Sequence, residues 1–217
     1  MDFAFDQEKL RQGLLFYLVF VVSISIHEWA HAFTADKLGD DTPRSQGRVT
    51  LNPLAHMDIF GTVIFPLVCI FAFPGGILFG WGRPVMINPS NFKNRKSGEV
   101  LTTMAGPLSN LVIALIAAVA GGLLAGGAPR TTEIFAVLIS LNVVLAVFNL
   151  LPVPPLDGGT LMKHATNMSE ETYFRIAQWS WLVLLIAIQL PPVRYALGLV
   201  ISLLTVPYYV IFQLLAR

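Results

Sequence analysis

The segment His27-Glu28-Trp29-Ala30-His31 holds two histidines and a glutamate whose types and spacing suit metal chemistry. On a helix, residues four apart share one face, so both imidazoles can reach the same ion. Glu28 adjoins the first of them and is placed to act on a water at that ion without coordinating it. Zinc accepts such nitrogen ligands, and its catalytic sites keep three protein ligands and one open position. In a soluble helix the three residues could form a solvated face. Here they sit in "SISIHEWAHAFTADKLG", inside an apolar run. A fully charged side chain at the centre of a membrane helix costs at least ~2.5 kcal/mol, and a metal is a natural partner for three ionisable groups.

A third ligand must come from elsewhere, and Asp157 in "NLLPVPPLDGG" stands out because few other acids lie near apolar sequence. Pro152, Pro154 and Pro155 prevent a regular helix there, leaving carbonyls and Asn149 to line a cavity. Gly158 and Gly159 permit close approach of backbone. The other reading is a loop in which Asp157 caps the next helix, and capping and ligation are compatible. Asn149 reads either as a hydrogen-bond donor to substrate or oxyanion, or as a structural amide.

The elements that must position these residues are membrane helices. Hydrophobic residues make up 55% of the 217 and charged residues only 12%, about half the usual charged share of a soluble domain. Mean hydropathy is +0.68. A net charge of +1 gives no footprint for nucleic acid. The single cysteine, Cys69, excludes an intrachain disulfide and a cysteine-rich zinc site. The first residues are acidic (Asp2, Asp6, Glu8) and no small-residue cleavage site follows, so no removable signal peptide is expected. Six apolar stretches, 14–38, 59–81, 100–124, 133–151, 173–190 and 195–215, approach the ~20 residues needed to span. Pro66, Pro74, Gly75 and Gly76 interrupt the second. Segments 47–53 and 82–89, each ending in Asn-Pro, read as short strands or as interfacial loops.

For His27, His31 and Asp157 to meet, the first and fourth stretches must run the same way across the membrane. Only one of the two stretches between them can then span, and the broken 59–81 is expected to dip in and return. With all six spanning, the basic residues divide nine inside and five outside; with 59–81 re-entrant and the N-terminus outside they divide ten and four. The second split fits the cytoplasmic excess of Lys and Arg slightly better.

Together, H-E-x-x-H in a membrane helix and the later N-x-x-P-x-P-x-x-D-G resemble the site-2 protease family of intramembrane zinc metalloproteases. Asn149, Pro152, Pro154, Asp157 and Gly158 match the second motif. "AGPLSN" at 105–110 resembles the start of the family's middle core helix, and "GRVTLNPLAHMDIFGT" its compact prokaryotic branch, without PDZ or CBS domain. The resemblance spans 23–159. It implies that His27, His31 and Asp157 bind Zn²⁺, that Glu28 is the general base, and that the reaction is peptide-bond hydrolysis within or beside the bilayer. It further implies a membrane-protein substrate, a transmembrane helix or signal-peptide remnant, and a bacterial plasma membrane with the site toward the cytoplasm.

The expectation is therefore an all-α polytopic membrane protein of about five or six transmembrane helices. It has a three-helix catalytic core, one re-entrant segment and a small β element. A single domain covers 1–217, with its core at about 14–160 and the C-terminal helices at about 173–217. Three residues are secondary candidates for substrate contact: Asn149, Asn110 and His56. Asn110 reads first as an interhelical hydrogen-bonding residue. His56 reads as an interfacial histidine bonded to backbone, or as a gate, transition-state donor or fourth ligand. His164 reads as a surface residue. A membrane metal-ion carrier and a non-catalytic binder of membrane helices are the alternatives; a carrier has no need of Glu28 beside its ligands.

Overall fold

The computed structural model describes residues 7–72 and 80–216. Apolar runs bounded by Gly, Pro and Asn become helices. The first, α1 (Gln7–Lys37), carries the H-E-x-x-H residues without a break and stops before Gly39, whose φ of +108° favours glycine. A single turn, α2 (Thr42–Ser45), follows. Asp58 then caps a wide π-type turn, Ile59–Ile64, accepting from the N–H groups of Phe60 and Gly61, and α3 (Phe65–Ala72) continues from it. Next come α4 (Arg95–Leu124), capped by the Asn94 side chain, and α5 (Pro129–Asn149). The chain ends with α6 (Asp157–Ala165), α7 (Glu170–Ala187, capped by Ser169) and α8 (Pro191–Leu215).

Four helices among the described residues, α1, α4, α5 and α8, are long and apolar enough to cross a membrane. That is fewer than the five or six expected. The 18-residue α7 carries Glu170, Glu171 and Arg175 near its start. The helical run 59–72 has 14 residues and so reaches only about 21 Å, short of a ~30 Å hydrocarbon core.

Contacts at their ends set the directions of the core helices. Arg11, near the start of α1, lies 2.7 Å from Glu133 near the start of α5, so these two run in parallel. His31, near the end of α1, meets Thr102 near the start of α4, so α4 runs oppositely. One long helix thus separates the two that must be parallel. Small residues let α4 approach its neighbours: Ala114, Ala117, Ala118 and Gly121 are buried, with Phe212 of α8 packed against the cluster. The outer faces of α4 and α8 expose Val112, Ile116, Leu199 and Leu203, suited to lipid.

The stretch 59–81 leaves and returns at one place. Trp81 N–H donates to Gly61 O at 3.0 Å, and Arg83 N–H to His56 O at 2.8 Å. Pro74, Gly75 and Gly76 lie outside the described residues. The small β element does not form a sheet: among the described residues the pairing is one isolated antiparallel bridge, Met57 with Gly82. Pro53, Pro84 and Pro89 have no N–H to give. Other backbone groups go to side chains, Val85 N–H to Glu28 and Asn88 N–H to Asp40. Asn52 and Asn88 each cap a single 3₁₀ turn opened by the following proline.

A Cβ at Gly121 would lie 2.4 Å from the Phe212 ring and 2.6 Å from that of Phe135. Gly121→Leu should force α8 and α5 away from α4 and cost about 1–3 kcal/mol. We expect a thermal midpoint several degrees lower in detergent, with zinc per chain unchanged because the candidate metal ligands lie toward the other end of α4.

Candidate metal centre

His27 and His31 project from α1 onto α4 at Gly106. A Cβ at that position would stand 2.3 Å from His31 Nε2 and 2.6 Å from His27 Cε1, so glycine makes the room for both rings. The rings meet edge to face, with centroids 4.6 Å apart.

Hydrogen bonds at the far side of each ring decide which nitrogen faces inward. His31 Nδ1 lies 2.7 Å from the Thr102 carbonyl, which only accepts, so Nδ1 carries the proton and Nε2 presents a lone pair. His27 Nδ1 lies 2.6 Å from Asn110 Oδ1. The orientation of that amide follows from the next one. Asn142 Nδ2 donates to the Leu138 carbonyl at 2.8 Å and to Ser23 Oγ at 2.9 Å, so its Oδ1 accepts from Asn110 Nδ2 at 2.9 Å. Asn110 Oδ1 is therefore the atom turned to His27. His27 Nε2 is left, like that of His31, as a bare acceptor.

Asp157 completes the group. Gly158 and Gly159 seat its helix: a Cβ at either would lie 2.2 Å from the Leu151 carbonyl or 2.5 Å from Pro154 N. Its carboxylate reaches 3.3 Å from His27 Nε2 and 3.4 Å from His31 Nε2, while the two Nε2 atoms are 3.1 Å apart. Two lone pairs and a carboxylate thus converge with no proton to share between the nitrogens, and Asp157 Oδ2 is buried without a hydrogen-bond donor. At bond lengths of about 2.0–2.1 Å, neighbouring ligand atoms of tetrahedral zinc stand about 3.3–3.4 Å apart. The donor set fits zinc in number and type, one ligand atom from each of the three residues lying within 4.8 Å of the others.

Glu28 is not in that triangle. It lies beside it, 9% exposed, with Oε2 accepting from Val85 N–H at 3.1 Å. Gly82 lies against the same carboxylate, where a Cβ would stand 3.4 Å from Oε1. The extended strip 82–85 therefore runs over the general-base candidate.

The secondary candidates fall in three places. Asn110 is fully buried and spends both ends of its amide on His27 and Asn142. Asn149, half-buried at the end of α5, donates from Nδ2 to the Leu145 carbonyl of its own helix at 3.0 Å. His56 is 0% exposed and outside the metal-type cluster. Its Nε2 lies 2.7 Å from the Thr50 carbonyl and so donates, leaving Nδ1 as a buried lone pair without a partner. Burial pushes the pKa of this imidazole down, which favours that neutral form.

Ser23, Asn142, Gly106 and the Thr102 carbonyl also hold the site, and the motifs alone did not single them out. Ser23 and Asn142 offered one signal: each is a polar residue in a stretch headed across the bilayer. His164, expected at the surface, instead bonds Glu99 at 2.7 Å.

Comparison with known proteins bears on the family of the chain. The model of Peptidase family M50 matches residues 127–188, which take in α5, the proline turn, Asp157 and α6. A Bacillus subtilis protein named "Putative zinc metalloprotease YwhC" is 42% identical over 67% of this chain and 67% of its own length. "Putative zinc metalloprotease Rip2" of Mycolicibacterium smegmatis is 31% identical over 79% of the chain and 65% of its own length. The chain thus spans about two thirds of the length of these relatives. No solved structure matches significantly.

Removing the Asn142 amide should free Asn110 to turn its NH₂ toward His27. We expect Asn142→Leu to weaken zinc binding 10- to 100-fold, read by competition with a chromophoric chelator.

Proposed function

This chain belongs to peptidase family M50, the site-2 protease family, and is an intramembrane zinc metalloprotease; we propose that His27, His31 and Asp157 hold its zinc and that Glu28 is its general base. The observation that carries the residue assignment is the convergence of two Nε2 lone pairs, 3.1 Å apart, on the Asp157 carboxylate, whose two oxygens lie 3.3 and 3.4 Å from them, with the Glu28 carboxylate alongside. Zinc supplies a Lewis acid that polarises the scissile carbonyl and brings the attacking water's pKa toward 7.

The chain's own residues do the rest. Glu28 takes the proton from the water as it attacks and returns it to the leaving amine. The Val85 N–H holds one carboxylate oxygen, leaving Oε1 free for that transfer. The Thr102 carbonyl and the Asn110 amide keep both imidazoles in the liganding tautomer. Asn149 has one amide hydrogen beyond its bond to Leu145 and contributes it to the substrate. His56 supports the 47–58 loop from within.

Substrates are membrane-embedded segments. A helical segment hides each carbonyl in an i to i−4 bond and must unwind before attack. The strip 85–88, free of bend or turn, can pair with the unwound backbone, and the bent segment around Val49 would have to straighten to do the same. The strip 85–88 is bonded directly to Glu28 through the Val85 N–H. The basic residues around the site, Lys37, Arg44, Arg83 and Lys93, support a cytoplasmic orientation of this end in a bacterial plasma membrane.

Wild type purified in detergent should hold near one zinc per chain by mass spectrometry, and Asp157→Ala sharply less. Glu28→Gln should keep its zinc while losing all cleavage of a pool of single-span peptides, with products read by mass spectrometry. Cleavage by Glu28→Gln at the wild-type rate would remove the general base from the assignment. Ile87→Pro and Val49→Pro should lower turnover several-fold at unchanged zinc content. Zinc loss in either would count against a role confined to substrate.

A further inference from the structure

Asp157 opens the nine-residue α6, and the far end of that helix is clamped by ions. Lys163 Nζ lies 2.8 Å from Glu99 Oε2, and His164 Nε2 lies 2.7 Å from the same oxygen. Arg95 Nε holds the other oxygen at 3.1 Å, and Lys163 continues to Glu170 at 3.2 Å. Glu99 and Lys163 are buried. A buried ion pair is weak evidence for stability, since well-packed apolar residues of similar volume do as well or better. Its presence points to a demand for exact placement of what it joins.

What it joins is the metal triangle. Residues 99, 102, 106 and 110 lie along one face of α4, spaced by three or four. Glu99 holds α6, the Thr102 carbonyl holds His31, Gly106 seats both rings, and Asn110 holds His27. One stripe of one helix therefore grips all three metal residues, two directly and Asp157 through its helix. The glycines at 158 and 159 fix the near end of α6 against the proline turn, and Glu99 fixes the far end. Without the second point, α6 can pivot about the first and swing the Asp157 carboxylate off the histidines.

We propose that Glu99 is a positioning residue for the metal centre, acting through Lys163 and His164 on the orientation of Asp157. This rests on the reading of Asp157 as a ligand. The test uses zinc-loaded full-length protein in detergent and follows zinc loss into excess chelator. Glu99→Gln and Lys163→Met should each lose zinc at least 10-fold faster than wild type. The double variant should be no faster than the worse single, because both act on one link. Glu133→Gln breaks the Arg11–Glu133 pair at the opposite ends of α1 and α5 and should stay within twofold of wild type. With cobalt in place of zinc, the visible absorption bands should shift in Glu99→Gln and not in Glu133→Gln.

Wild-type zinc retention and cobalt spectrum in folded Glu99→Gln would overturn the proposal, as would equal zinc loss in Glu133→Gln. If Glu99→Gln cannot be purified folded, Lys163→Met decides by the same two readouts, since Glu99 there keeps Arg95 and His164. An Asp157→Ala variant that holds zinc like wild type would mean that the ligand assignment has failed. Rapid zinc loss from Asp157→Ala beside normal retention in Glu99→Gln would mean that only the clamp has failed.

Discussion

The bond from Asn142 Nδ2 to the Leu138 carbonyl is the fixed point of the candidate metal centre. A carbonyl can only accept, so it settles which end of the Asn142 amide is which, then that of Asn110, then the tautomer of His27. The chain crosses all three core helices, from α5 to α4 to α1, with Ser23 as a side branch on α1. In lipid no water competes for these groups, so each amide must find its partner inside the bundle. The same bonds that hold the helices together thereby hold the imidazole. Folding and metal chemistry draw on one network.

This coupling explains the composition of α4. The stripe that meets α1 and α6 is polar or glycine at 99, 102, 106 and 110, whereas the farther half of α4 is Ala and Gly at 114, 117, 118 and 121. The first part offers partners and space to side chains. The second offers only closeness, so that α5 and α8 can pack on backbone. Pro107 sits inside the helix at the changeover, next to the glycine that makes room for both rings.

Spacing made part of this legible in the sequence. Residues 27, 28 and 31 lie within one helical turn, where periodicity fixes relative placement, and the proline-glycine turn isolates Asp157. The requirement that α1 and α5 run in parallel also follows from sequence order, and it correctly demotes the 59–81 stretch. Contacts between helices were not readable in this way. Whether Asn142 faces Asn110, or Glu99 faces Lys163, depends on helix rotation, which one sequence does not state. The basic cluster 93–96 hides Glu99, two of whose partners, Lys163 and His164, lie over sixty residues away. The expected strands failed for a local reason: prolines at 53, 84 and 89 remove donors, and acidic side chains capture the backbone N–H groups of Val85 and Asn88.

The lengths of α1 and α4 also act as a depth gauge. At 31 and 30 residues they measure about 46 and 45 Å, some 15 Å more than the hydrocarbon they cross. Centred on the bilayer, each overhangs by roughly 8 Å at either end. His31, six residues before the end of α1, then lies about 1 Å inside the hydrocarbon boundary, and His27 about 7 Å inside. Gly106, eleven residues into α4, comes to about 9 Å. A peptide bond brought to these residues would thus lie about 7–9 Å inside the hydrocarbon boundary, short of the midplane at about 15 Å. A substrate helix need fray only about two turns to reach it, and water has a path of about 7–9 Å, shorter than half a membrane.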